Sequence, residues 1–98
     1  MIPLVYSTNS LHDLEQFIVA GLCAHENLDQ AQVKVQRSLL RKGDAKIGLF
    51  IRISGPRLMQ SQAIWIEPEN RLLFYNSAGK RFATVKLAEA PELPTVSI

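Results

Sequence analysis

The sequence predicts an α+β protein in which one N-terminal helix packs on an antiparallel meander sheet of about five strands. From Lys46 to Lys86 the chain carries short runs rich in apolar residues, several of them alternating, separated by turn residues. Side chains on a strand point to opposite faces with a period of two, so such runs are typical of strands. Short connections between successive strands favour an antiparallel meander. Upstream of this stretch, leucine and isoleucine recur at helical spacing, which predicts the helix.

Length and composition indicate one globular domain. The chain has 98 residues, of which 47% are hydrophobic and 20% are charged, which is unlike a disordered protein. We expect a single domain over residues 1–90 and a flexible tail over residues 91–98, where two prolines occur without periodicity. Because the first basic residue is Lys34, no signal peptide with a positive leading region is predicted. The longest apolar run is eight residues, too short for a bilayer, so we expect a cytoplasmic protein that does not bind membranes.

The helix is predicted from about Leu11 to His25. Capping residue types occupy positions 7–10, and Asp13 follows Ser10 by three residues, as in a capping box. An apolar stripe then repeats at helical spacing through Leu11, Leu14, Ile18 and Leu22. From residue 17 to residue 24 the helix is apolar nearly all round, which predicts burial on more than one side. Gly21 costs about 1 kcal/mol relative to alanine in a helix, so we expect close packing against the sheet there.

Residues 31–42 fit two structures. As a strand, the segment places Val33 and Val35 on one face, and the residues at 42–44 turn into the next strand. As a helix, the segment carries an apolar stripe that ends at Gly43, a residue type that commonly follows a helix. The alternation at 33–35 and the hairpin-like connection favour the strand. Residues 2–6 are short and apolar, which fits either an edge strand or a loosely packed tail.

One helix covers only one face of a sheet, so apolar residues on the second face need another cover. Apolar candidates for that face are Phe50, Phe82, one of Ile64 and Trp65, and one of Phe74 and Tyr75. Such a face is covered by curling the sheet into a partial barrel, by the N-terminal segment, or by another chain. We therefore expect a homodimer or a protein partner bound through the second sheet face.

Charge is unevenly distributed along the chain. The first 33 residues carry four acidic residues and no basic one, whereas residues 34–57 carry seven basic residues and one acidic residue, a net charge of +6. Such a segment marks either an anion-facing surface or a solvated face. Arginine binds phosphate and carboxylate with a planar fork of donors, and aromatic rings on a sheet stack with single-stranded bases. The candidate binding residues are Arg37, Arg41, Arg52, Arg57, Trp65 and Tyr75.

No catalytic or metal-binding constellation is present in the sequence. Cys23 and His25 are two residues apart on a helix and point to different sides, and the four ligands of a structural zinc site are missing. Glu67 and Glu69 flank a turn proline, where solvated acids are expected. We expect no cofactor and no metal. The sequence predicts a non-enzymatic protein-interaction module, and the alternative is a nucleic-acid or anion-binding domain that uses the basic segment 34–57.

Overall fold

The computed structural model describes residues 2–93 and contains one α-helix packed on a six-stranded sheet. The helix α1 spans Leu11–His25, as predicted. The strands are β1 Val5–Ser7, β2 Lys34–Lys42, β3 Ala45–Ser54, β4 Gln60–Ile66, β5 Arg71–Tyr75 and β6 Arg81–Glu89. The predicted α+β class, with an N-terminal helix on a meander sheet, is confirmed.

The strands lie in the order β1-β6-β5-β4-β3-β2, and the sheet does not close into a barrel. Strands β2 to β6 form the predicted antiparallel meander. The sixth strand is β1, which pairs in parallel with β6 so that Val5 lies opposite Lys86. The sequence could not decide this pairing, because β1 and β6 lie far apart in the chain and no turn connects the two.

Residues 34–42 form a strand, which confirms the favoured interpretation of the ambiguous segment. The whole of β2 pairs with β3, from Lys34 opposite Ser54 to Lys42 opposite Ala45. Gly43 adopts a φ of +62° in the connecting turn, a conformation that glycine adopts without strain. A short 3-10 turn at Gln30–Gln32 precedes the strand, and Asp29 caps it through a bond accepted from the Ala31 N–H at 3.0 Å.

The start of α1 is fixed by side chains that satisfy its first backbone donors. The hydroxyl oxygen of Ser10 accepts a hydrogen bond from the Asp13 N–H at 3.1 Å, as predicted. The Tyr6 hydroxyl of β1 donates to the Asp13 carboxylate at 2.5 Å, and the Tyr6 ring stacks on Phe17 with centroids 3.8 Å apart. The short first strand is therefore tied to the helix as well as to the sheet.

The core lies between α1 and one face of the sheet, which we call the inner face. Leu14, Ile18 and Leu22 of the helix are at most 1% exposed. The residues that meet them from the sheet are Leu49, Ile51, Ile53, Ala63, Trp65, Leu72, Phe74, Val85 and Leu87. The predicted close packing at Gly21 is confirmed, since a Cβ there would lie 3.2 Å from the Phe74 ring.

Burial of the second half of the helix is only partial. Val19 and Cys23 widen the buried stripe, but Ala20 and Ala24 are exposed. The prediction of burial on more than one side is therefore correct for one flank of α1 and wrong for the other. No helix in residues 2–93 has the length and apolar content that a membrane span requires.

At the C-terminal end, Pro91 is buried and Leu93 packs against the core. Residues 94–98, the remainder of the predicted tail, lie outside the described residues.

Candidate interaction surface

The sheet face opposite the helix, called the outer face, is built by the residues that alternate with the core positions. Three long rows of paired residues cross it, and a shorter row of Lys34, Ser54 and Gln60 lies at one end. The central row is Ser38, Phe50, Ile64, Leu73 and Thr84. The row on one side is Gln36, Arg52, Gln62, Tyr75 and Arg81. The row on the other side is Leu40, Gly48, Ile66, Arg71 and Lys86.

The middle of the outer face is apolar. We call its six large hydrophobic residues the outer patch: Leu40, Phe50, Ile64, Ile66, Leu73 and Tyr75. Five of them are half-buried, and Leu73 is 7% exposed. None of them belongs to the core cluster that packs with α1. An antiparallel sheet with one solvated face ordinarily carries polar residues there, so this apolar patch is a candidate interaction site.

Basic residues stand at the margins of the outer patch. They are Lys34, Arg52, Arg71, Arg81 and Lys86. Arg71 forms an ion pair of 2.7 Å with Glu69 of the neighbouring turn, but both side chains are about half exposed, so the pair is weak. The outer face therefore combines an apolar centre with cationic margins.

Arg52 lies at the edge of the outer patch. Its guanidinium carbon is 5.2 Å from the centre of the Phe50 ring, the geometry of a cation–π contact. Its Nε is buried and has no hydrogen-bond partner among the described residues. A buried donor of this kind is normally satisfied, so Arg52 has unused capacity to bind an acceptor.

Of the sequence-predicted binding residues, the structure brings Arg52 and Tyr75 together. Both lie in one row of the outer face, separated by Gln62. Trp65 lies one position beyond outer-facing Ile64, so its ring points the other way and is fully buried beneath the helix. A buried ring does not contact a ligand while the core is intact.

The other three arginines lie apart from this pair. Arg37 faces the helix side of β2 and forms an ion pair with Glu15 of α1. Arg41 is exposed near the end of β2, beyond a register shift at Leu40. Arg57 is exposed in the turn between β3 and β4, with a φ of +61°. The six candidates therefore occupy several surfaces and the core.

Phe82 corrects the expected composition of the outer face. Residue Phe74 pairs with Ala83, but the next residue, Tyr75, pairs with Arg81, so Phe82 is an extra residue at a β-bulge. Its ring lies on the helix side, stacked on His25 with centroids 3.6 Å apart. Strict alternation along the sequence cannot reveal such an insertion.

The sequence offered Ile64 only as an alternative to Trp65 for the second sheet face, and it did not single out Ile66 and Leu73. Their signal was present as period-two alternation, but each apolar run contained neighbouring hydrophobic residues of both parities. The observed register assigns Ile64 to the outer face and its neighbour Trp65 to the inner face. The outer patch is thus defined by the register of the sheet.

Cys23 is a free cysteine buried in the core. Burial raises the pKa of the Cys23 thiol, which keeps it protonated and a poor nucleophile near neutral pH. Within residues 2–93, no three histidine, cysteine, aspartate or glutamate side chains are grouped closely enough to hold a metal ion.

No family model matches the chain, and searches of curated proteins and of solved structures give no significant match.

Proposed function

We propose that this protein is a non-enzymatic protein-interaction module that binds a partner protein through the outer patch. The observation that carries the proposal is the partly exposed apolar sheet face, whose six large hydrophobic residues are left uncovered by α1. Apolar area removed from water contributes roughly 25 cal/mol per Å², so a partner that covers this face gains affinity from it.

The charge of the face favours a different protein over a second copy of the same chain. Two copies stacked through their outer faces would bring the basic margins of both into one interface, and like charges across an interface are unfavourable. A partner whose contact surface has an apolar centre and acidic margins complements the face on both counts.

Single-stranded nucleic acid is the second candidate. It is favoured by the basic margins and by the rings of Phe50 and Tyr75, which share the outer face. Two features favour protein over it. Four of the six outer-patch residues are aliphatic, and the Arg52 guanidinium lies over the Phe50 ring, which reduces the area left for stacking a base.

The proposal is tested by site-specific photo-crosslinking followed by measurement of affinity. A photoreactive residue at Thr84, on the outer face, is expected to crosslink a partner protein in cells, whereas one at exposed Ala78 in the β5–β6 turn is not. The identified partner is then purified and its Kd is measured by calorimetry. We expect Ile64→Asp to raise the Kd at least about tenfold and Ala78→Asp to leave it unchanged. Equal binding by both variants would overturn the proposal.

Nucleic-acid binding is examined with the same variants. Fluorescence anisotropy of labelled single-stranded oligonucleotides is recorded at low and at moderate salt. Because phosphate contacts release counterions, true binding weakens steeply with salt. Salt-dependent binding that Arg52→Ala and Tyr75→Ala both abolish would replace the protein partner by single-stranded nucleic acid.

A further inference from the structure

The outer edge of β2 is an unpaired strand edge of unusual length. The strand has 9 residues and pairs with β3 along its whole length. On its other side, no strand of residues 2–93 pairs with it, because β2 ends the sheet. Backbone N–H and C=O groups along such an edge are a template for an added strand.

A depression flanks β2 on each face of the sheet. On the helix side, a depression of about 300 Å³ lies between α1 and the strand, with Val19, Gln16 and Val35 in its walls. On the outer side, a depression of about 500 Å³ lies over Gln36, Ser38, Phe50 and Arg52. An added strand would direct alternate side chains to the two faces, so successive residues would meet one depression and then the other.

The charges along this edge select an acidic occupant. Strand β2 carries four basic residues and no acidic one. Arg37 is compensated by Glu15, while Lys34, Arg41 and Lys42 are exposed. The outer depression is lined by Arg52, whose side chain is half-buried. A carboxylate entering that depression would accept a charge-assisted hydrogen bond from the Arg52 guanidinium.

The same charges disfavour a second copy at this edge. Antiparallel pairing of two β2 strands centred on Ser38 would place Lys34 of each opposite Lys42 of the other, and like charges directly opposite on a sheet are destabilising. The charges of this edge therefore disfavour pairing with a second β2 strand and favour pairing with an acidic strand.

We propose that β2 binds an extended acidic segment of a partner protein by strand addition, with alternate side chains in the two flanking depressions and a carboxylate on Arg52. This edge adjoins the outer patch and shares Phe50 with it, whereas Ile64 lines neither depression and serves to test the outer patch separately.

The experiment uses three synthetic peptides of one length. The first alternates glutamate with valine, the second replaces glutamate by lysine, and the third keeps the glutamates but replaces the central valine by proline. We expect only the first to bind in calorimetry, with protection of the β2 amides in hydrogen exchange. Proline lacks the N–H that a strand ladder needs, so the third peptide separates strand addition from charge attraction.

Charge reversal supplies the matched variants. The double substitution Arg41→Glu with Lys42→Glu is expected to raise the Kd of the acidic peptide at least about tenfold. The control, Lys80→Glu with Arg81→Glu, reverses two adjacent exposed basic residues at the start of β6 and is expected to leave the Kd unchanged. Circular dichroism confirms that both variants are folded.

Three outcomes would overturn the inference. The first is no binding of the acidic peptide at millimolar concentration. The second is equal binding of the proline-containing peptide, which would mean charge attraction without strand addition. The third is a single-stranded oligonucleotide that binds more tightly than the acidic peptide at the same salt and no longer binds when Arg41 and Lys42 are replaced by glutamate. That result would assign the basic edge to nucleic acid. Ile64→Asp should not change peptide binding, so failure of the outer patch and failure of the edge are distinguished.

Discussion

The two faces of this sheet are built by the same period-two alternation but differ in what covers them. On the inner face, Trp65 and Phe74 are completely buried beneath α1. On the outer face, Phe50 and Tyr75 remain half-exposed. Apolar residues on the inner face are explained by folding, because the helix removes them from water. Apolar residues on the outer face gain less from folding of this chain alone, and on this difference rests our proposal that they bind a partner.

The largest expected effect is a difference between two matched phenylalanines. Phe74→Ala, on the inner face, should destabilise the fold by about 3–5 kcal/mol, because it leaves a cavity in the core. Phe50→Ala, on the outer face, should cost about 1 kcal/mol, since the ring is only half-buried and partly replaced by water. Urea denaturation of both variants measures the difference. Equal losses would mean that the outer face is covered in the isolated protein, for example by a second copy.

Gly48 is an exception to the difference between the two faces. It lies on the outer face but is as tightly packed as a core residue. A Cβ built at this position would lie only 1.8 Å from the Trp65 carbonyl oxygen. Gly48→Ala should therefore force β3 away from β4 and cost about 1–3 kcal/mol, as overpacking does. Ser38→Ala is the control on the same face and should change stability by less than about 0.5 kcal/mol. An unchanged denaturation midpoint for Gly48→Ala would contradict the observed approach of the two strands.

How far the sequence predicts this structure differs between local and non-local features. The helix was predictable because its stripe and its Ser10 cap are local signals. The pairing of β1 with β6 was not, because it joins the two ends of the chain. The outer patch was only half predictable, since Ile64 and Trp65 are neighbours and the register alone decides which of them faces α1. The bulge at Phe82 depends on the partner strand, so alternation within one strand misplaced it.

A smaller change in stability is expected in the turn between β3 and β4, which lies outside both faces of the sheet. Leu58 is 97% exposed and has a φ of +60°. The left-handed region costs a non-glycine residue roughly 1–2 kcal/mol, and glycine loses about 0.5–1 kcal/mol in chain entropy. Leu58→Gly should therefore raise stability, by up to about 1 kcal/mol, because no buried contact is lost. Arg41→Gly, at an exposed strand position, should lower it, and thermal denaturation compares the two. A loss of stability in Leu58→Gly would indicate that the Leu58 side chain makes a contact that its exposure conceals.

The smallest effect concerns the bond that ties the helix layer to the edge of the sheet. The hydrogen bond from the Tyr6 hydroxyl, assisted by one from Thr8, lowers the pKa of Asp13. A carboxyl whose pKa is lower in the folded state contributes stability that is complete above its unfolded pKa of about 4 and is lost as the pH falls through the folded value. The same bond raises the pKa of Tyr6, so its contribution also disappears as the pH rises above about 10. Tyr6→Phe should return the Asp13 pKa toward its usual range, which NMR titration of the Asp13 carboxyl measures. The free energy of unfolding should then depend less on pH in the acid range. If the pKa of Asp13 is the same in Tyr6→Phe as in the original protein, the Tyr6 hydroxyl does not hold the Asp13 carboxylate, and the side chain at position 6 contacts the helix only through its stacking on Phe17.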